Sequence, residues 1–384
     1  MKKTYLVSII GILIIIGAAC TQEAPQETDK IIKKVEEAQP IKIGTLGPLT
    51  GDSSIVGEPI KHAVNMAIEE INSQGGINGR PIQIISEDAK CNGKDAASAA
   101  QKLINIDNVK LIIGGACSGE TLAAAPIAEE HSVIMISPAS TAPSITNAGD
   151  YIFRNMPSDA QGGTQMALEV IKKYKNVAIV SEQTDFSQGQ KTIFNHEFQK
   201  LGGSIMVDED FAKEAKDFRT ILLKIKVAGP DAIIINAQSA ATGGTFIKQL
   251  SELNLTYPLY GTMPLASQDA LIIAGPAAEG MVIITTPDLN KNNKQTTDFL
   301  TRYRKIYGDP SYEIVVAAAY DNVYLLKEAI EAVGLDTDKI RDYLYDLRDY
   351  HGLIGTYGFD KNGDVENIKF VAKYVKNGEV VSTK

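Results

Sequence analysis

The sequence predicts an α/β protein of two similar units, each a parallel sheet covered by helices on both faces. Three observations predict it. Short apolar runs rich in β-formers alternate with segments of helical periodicity. The alternation pauses at a polar loop, 137–149, and then starts again. The 384 residues, 44% hydrophobic, are long and apolar enough for two cores. The net charge of −9, with no Lys/Arg block beyond the extreme N-terminus, argues against nucleic acid or an anionic membrane surface as main partner. Only His62, His131, His196 and His351 could supply imidazole, which excludes a His-rich metal site.

At the N-terminus, Met1-Lys2-Lys3 is basic, residues 6–16 are almost wholly apolar, and Gly17-Ala18-Ala19 precede Cys20. The apolar run is well short of the roughly 20 residues a spanning helix needs. Residues 1–20 resemble a lipoprotein signal peptide, which implies that Cys20 becomes the lipid-anchored first residue of an extracytoplasmic protein held at the cell membrane. An uncleaved signal anchor is the alternative, and either exports the chain. Outside the cytoplasm thiols tend to pair, so Cys91 and Cys117 are expected to form a disulfide, worth about 3 kcal/mol for a loop of this size. Metal binding by these two cysteines is the weaker option. Residues 21–40 are rich in Gln, Glu, Pro and Lys and read as a flexible tether.

The elements follow in order. A strand at 41–44 leads to a helix over 57–74, with Ile60, Ala63, Val64, Ala67, Ile68 and Ile71 at helical spacing and Gly75-Gly76 as its stop. Strand 82–86, helix 94–106, strand 109–113, helix 119–131 and strand 133–136 complete the first unit. The second comprises helix 161–174, strand 177–180, helix 189–201, strand 204–207, helix 218–228, strand 232–235, helix 244–253 and strands 259–260 and 280–284. Helices over 296–307 and 313–333 then need a sheet to pack on, because the second carries one long apolar face. Strands 356–359 and 369–374 close the chain. The segment 360–366 is similar to half of a calcium loop but is shorter than an EF-hand, and reads as a hairpin turn.

This order, with Gly47-Pro48-Leu49-Thr50-Gly51, Glu70-Ile71-Asn72, Gly75-Gly76-Ile77-Asn78-Gly79-Arg80 and Ser137-Pro138-Ala139, closely resembles the branched-chain amino-acid (leucine/isoleucine/valine) binding proteins, type I periplasmic solute-binding proteins. The resemblance runs from about Pro40 to the C-terminus. It implies two Rossmann-like lobes joined by three crossovers, residues 41–158 plus 286–368 and residues 159–285 plus 369–384, closing on a small ligand for an ABC permease and ATPase complex. No cofactor and no enzymatic activity are implied. Open α/β sheets also bind ligands at the carboxyl ends of their strands, near the switch in strand order.

Ser118 follows a strand and Gly114-Gly115 and opens the next helix at the N-cap, where a hydroxyl and free N–H groups hold a carboxylate or only cap the helix. The resemblance implies the former. It also implies ligand contacts from Ala139, Ser140 and Thr141, in a loop stiffened by Pro138 and Pro143, and from Phe186, an aromatic of the second lobe. Two departures stand out. The family's ammonium-binding glutamate aligns with Met263 and a neighbouring tyrosine with Ser239, while a mouth aromatic aligns with Val56. A buried ammonium without a negative partner is costly. Either Asp159, Asp185 or Asp321 replaces the glutamate or the ligand lacks an amine, so the expected ligand is a larger amino acid or a related carboxylate rather than plain leucine. The alternatives are a receptor module feeding a membrane sensor and, remotely, a hydrolase using Cys117 in Gly115-Ala116-Cys117-Ser118-Gly119.

Overall fold

The computed structural model describes residues 39–382; the signal segment, Cys20 and nearly all of the tether lie outside the described residues. The first sheet holds β1 (Ile41–Gly47), β2 (Ile82–Asp88), β3 (Leu111–Gly114), β4 (Ile134–Ser137) and β5 (Ile152–Arg154), all parallel in the order β2-β1-β3-β4-β5. Strands this apolar are buried on both faces. Ile41, Ile43, Ile113 and Ile136 face the stripe Ile60, Val64, Ile68 and Ile71 of α1 (Ser54–Ser73). On the other side Leu46, Ile112 and Met135 meet the alanines of α2 (Gly93–Gln101) and α3 (Ser118–Glu130). The helix expected over 94–106 ends as α2, and Lys102–Ile106 continue as a π-helical turn.

The second sheet contains β6 (Asn176–Glu182), β7 (Ser204–Phe211), β8 (Ala232–Asn236), β9 (Leu259–Gly261) and β10 (Val282–Thr285), parallel, with β14 (Val371–Lys376) and β15 (Glu379–Ser382) added antiparallel at one edge; the order is β7-β6-β8-β9-β10-β14-β15. Its helices are α4 (Asp159–Ile171), α5 (Asp185–Lys200), α6 (Arg219–Ala228), α7 (Ala240–Glu252) and α8 (Gln268–Ala274). Five parallel strands thus run in the same order in both sheets. The order switches between β1 and β3 in one and between β6 and β8 in the other, and a crevice opens at the carboxyl end of each switch.

After β10 the chain returns to the first sheet through α9 (Lys294–Tyr307), α10 (Glu313–Val333), α11 (Thr337–Asp346) and the small antiparallel ladder β11 (Tyr350–Gly352), β12 (Gly355–Phe359) and β13 (Val365–Glu366). Apolar residues of α10 and of this ladder join the core around α1. The chain therefore passes between the sheets three times: after β5, after β10 and before β14.

The turn at 360–364 is committed to structure. Asp360 accepts the N–H groups of Asn362 and Asp364, while fully buried Arg154 grips Asp364 through Nε at 2.6 Å and Nη2 at 2.9 Å and also binds Ala142 O and Thr146. Among the described residues no helix is long and apolar enough to cross a membrane, and no cluster of three or more His, Cys, Asp or Glu is placed to hold a metal ion.

Candidate ligand-binding site

A cavity of about 140 Å³ lies between loops at the carboxyl ends of the two sheets. Val56, Ser118, Ala139 and Thr141 line it from the first sheet's side, and Phe186, Ser239 and Met263 from the second's. Seven of the eight nominated ligand residues thus come together. Ser140 does not join them: its buried hydroxyl donates to Gly115 O at 2.9 Å and meets Thr121 Oγ1 at 2.7 Å, so it fastens the loop from behind. Ser118 also sits one position later than expected. Cys117, extended and with its N–H donated to the Glu120 carboxylate, is the N-cap of α3, and Ser118 is the first helical residue. The disulfide with Cys91 leaves Cys117 without a free thiol for nucleophilic attack.

Hydrogen bonding assigns each hydroxyl a role. Ser118 Oγ accepts from the N–H groups of Thr141 (3.3 Å) and Ala142 (3.1 Å), which leaves its own proton to donate. Thr141 Oγ1 donates to Asp159 Oδ2 at 2.6 Å, which leaves it able only to accept. Ser118 is thereby suited to an anion and Thr141 to a cation. Asp159, completely buried at the start of α4, has its carboxyl pushed up to about 7 by burial, against the pull of the Thr141 hydroxyl and the Arg154 charge.

The other two acids considered lie elsewhere. Asp321, on α10, accepts the N–H groups of Leu353 and Ile354, and Asp185 is exposed on the first turn of α5, in a groove outside the cavity.

Several lining residues carried no signal strong enough to single them out. Asp52 and Asp269 are exposed carboxylates of the lining; Gln238 and Tyr312 line it as well, and Tyr312 donates to Pro264 O at 3.1 Å. Asp269 had a legible cue, as the second helical residue after Ser267, whose hydroxyl accepts Ala270 N–H. Among the described residues no Lys, Arg or His lines the cavity.

Each lobe's loop hangs from one buried carboxylate. Glu120 accepts the N–H groups of Ala116, Cys117 and Cys91, and Glu182 those of Gln238 and Ser239 together with the Thr242 hydroxyl. Burial pushes Glu120 up to about 7 and raises Glu182, in each case against these donors. The first turns of α3, α5, α7 and α8 supply Ser118, Phe186, Ala240–Ala241 and Asp269 to the lining, so four positive helix termini approach the cavity.

Comparison with known proteins agrees with this architecture. The family model described as periplasmic binding protein matches residues 40–379. The leucine-, isoleucine-, valine-, threonine- and alanine-binding protein of Pseudomonas aeruginosa is 30% identical over 337 residues, 87% of this chain and 89% of that one. A leucine binding protein from Thermotoga maritima superposes with a TM-score of 0.82 at 29% identity, covering 90% of this chain and 98% of that one. The branched-chain amino acid transporter substrate binding protein of Streptococcus pneumoniae, in complex with isoleucine, gives 0.80 at 26%, covering 89% and 97%. With two sheets of matching strand order facing a cavity at their switch points, and a family match spanning nearly every described residue, this chain belongs to the periplasmic binding protein family.

Proposed function

We propose that this chain is the extracytoplasmic solute-binding component of an ABC importer, anchored by lipid at Cys20, and that its lobes, 41–158 plus 286–368 and 159–285 plus 369–384, close on an α-amino acid. One observation carries the ligand class. The cavity offers a hydroxyl donor and helix N-termini on one side, an acceptor backed by buried Asp159 on another, and two further carboxylates, with no cationic side chain among the described lining residues. An amine-free carboxylate would satisfy the donors but leave the carboxylates in and behind the lining without a cation, whereas a zwitterion satisfies both ends. The leucine-, isoleucine-, valine-, threonine- and alanine-binding protein of Pseudomonas aeruginosa and the isoleucine complex of the Streptococcus pneumoniae protein support the same class.

The mechanism is hinge closure. Ligand first rests on Ser118, Ala139 and Thr141; Phe186, Ser239 and Met263 then shut over it, and the closed form is delivered to the permease and ATPase. Val56 and Met263 add apolar surface for the ligand's side chain. The test is calorimetric titration with L-leucine, L-isoleucine, L-phenylalanine and L-methionine beside their deaminated acids. Amino acids should bind and the deaminated partners should bind far more weakly. Equal affinity for both series would overturn the amino-acid reading.

A further inference from the structure

Two side chains of the second lobe reach across the cleft to one residue of the first. Lys213, in the turn after β7, donates from Nζ to Cys91 O at 3.0 Å. Gln238, in the turn after β8, directs Nε2 to Cys91 Sγ at 2.9 Å. Their target is held firmly from its own side. Cys91 is bonded to Cys117, its N–H donates to Glu120 at 2.8 Å, and it lies with Lys90 in a reversal where both residues have left-handed backbone, φ 54° and 50°. That reversal turns the Cys91 carbonyl toward the second lobe.

The position of these contacts matters. Gln238 lines the ligand cavity and also an outer groove of about 500 Å³ whose walls include Lys90, Asp185 and Lys213. The Gln238–Cys91 contact is therefore part of the wall between ligand and solvent. The Lys213 charge acts on Glu120 of the first lobe and on Glu182 of the second, opposing the burial that raises both carboxyls. One ammonium thus lies close enough to influence acids from opposite sides of the cleft, while its hydrogen bond is made to Cys91 O.

We propose that Lys213 and Gln238 form a clasp on the Cys91 corner that holds the cleft shut and sets the rate at which ligand escapes. The proposal rests on the closing mechanism above. The experiment is stopped-flow tyrosine fluorescence, since the chain has no Trp, following release from the full chain of L-leucine, L-isoleucine, L-phenylalanine and L-methionine. K213M and Q238L should each release ligand on the order of tenfold faster with little change in association rate, as expected for loss of a charge-assisted or buried contact. K213R should restore slow release. K224M, which removes only an exposed pair with Glu209, should leave it unchanged. The ligand-free melting temperature of K213M should match the wild type, because Lys213 is part-exposed. Wild-type binding with unaltered release from K213M and Q238L overturns the clasp alone; failure of the wild type to bind any of L-leucine, L-isoleucine, L-phenylalanine and L-methionine overturns the reading beneath it, and the clasp with it.

Discussion

Replacing Asp159 with Asn keeps the side chain's shape and its acceptor for Thr141 but removes its charge, so it isolates the electrostatic part of amine recognition. Thr141 Oγ1 lies 2.6 Å from Asp159 Oδ2. A ligand ammonium at an ordinary hydrogen-bond length of about 2.9 Å on the far side of that oxygen sits roughly 4.5 Å from the carboxylate. At an effective dielectric of about 20, the attraction is at most about 4 kcal/mol. Asp159 has its carboxyl near 7, so ionising the protonated half at neutral pH costs only about 0.4 kcal/mol, and desolvation of the ammonium offsets more of the attraction, so that about 2 kcal/mol is a fair net figure. D159N should therefore weaken L-leucine binding by about 30-fold and leave 4-methylpentanoate almost untouched. The pH dependence carries the same signature. Binding an ammonium favours the charged form of Asp159, so the complex releases part of a proton, and wild-type affinity for leucine rises from about pH 6 to about pH 8 and then levels. The measurement is isothermal titration of both ligands across that range, in buffers of different ionisation enthalpy. If D159N binds leucine as the wild type does, or loses both ligands equally, Asp159 is not the compensating charge.

Three further outcomes follow from the geometry. A Cβ at Gly189, on α5, would stand 2.8 Å from the Pro143 ring across the cleft, so G189L should shrink the ligand-induced rise in melting temperature while leaving the ligand-free midpoint unchanged, read by differential scanning fluorimetry. D364A strands the fully buried Arg154 guanidinium and should lower stability by about 3–5 kcal/mol in urea denaturation, whereas removing an exposed pair such as Lys294–Asp298 should change it by less than about 1 kcal/mol. Burial pushes Glu120, Asp159 and Asp321 up to about 7, above their unfolded values near 4, so between about pH 4 and pH 7 the folded chain holds protons that the unfolded chain has released. That stability is complete below this window and is lost as pH rises through it; the ligand-free midpoint should be higher at about pH 5.5 than at about pH 8, and the opposite slope would refute the assignment.

The sheets are legible because their central strands are buried on both faces and spell nearly unbroken runs, such as Ala232–Asn236, while α1 and α10 declare themselves by their apolar stripes. What escaped notice has physical causes. The three-residue β5 and the short α8 offer too little periodicity, and α11 buries only Ile340 and Leu344, a stripe one turn long. The starts of α5 and α7 were expected late, at 189 and 244. The helices begin at Asp185 and Ala240, capped by Thr184 and Ser239. Gly243 and Gly244 lie inside α7, where any Cβ would strike Leu265 or Ala270 O of the neighbouring segment. The nominated ligand residues rested on loops at strand ends, where the topology must place them. The carboxylates suspending those loops leave no comparable mark in the sequence. Glu120 completes a capping pattern whose first position is a cysteine rather than Ser or Thr, and Glu182 ends a strand whose middle, Val177–Val180, is apolar.

Those two carboxylates explain how flexible loops can present rigid dipoles. A loop at a sheet switch point has backbone N–H groups with no ladder partner, and in a buried site each must find one. Glu120 gathers three N–H groups around the disulfide corner, and Glu182 gathers two N–H groups and a hydroxyl around Ser239, so each loop is fixed by a single side chain rooted in its own lobe. The groups left over, the Ser118 proton and the first turns of four helices, are the ones that face the cavity. They are neutral dipoles, held in place before ligand arrives, and their pull on a charged ligand strengthens as closure drives out water. Formal charge is kept to the margins, at Asp52 and Asp269 in the lining and at Asp159 behind Thr141. A site built this way can open in water at little electrostatic cost, because no buried bare charge is exposed or stranded by the motion, and it grips only a ligand that brings both charges with it.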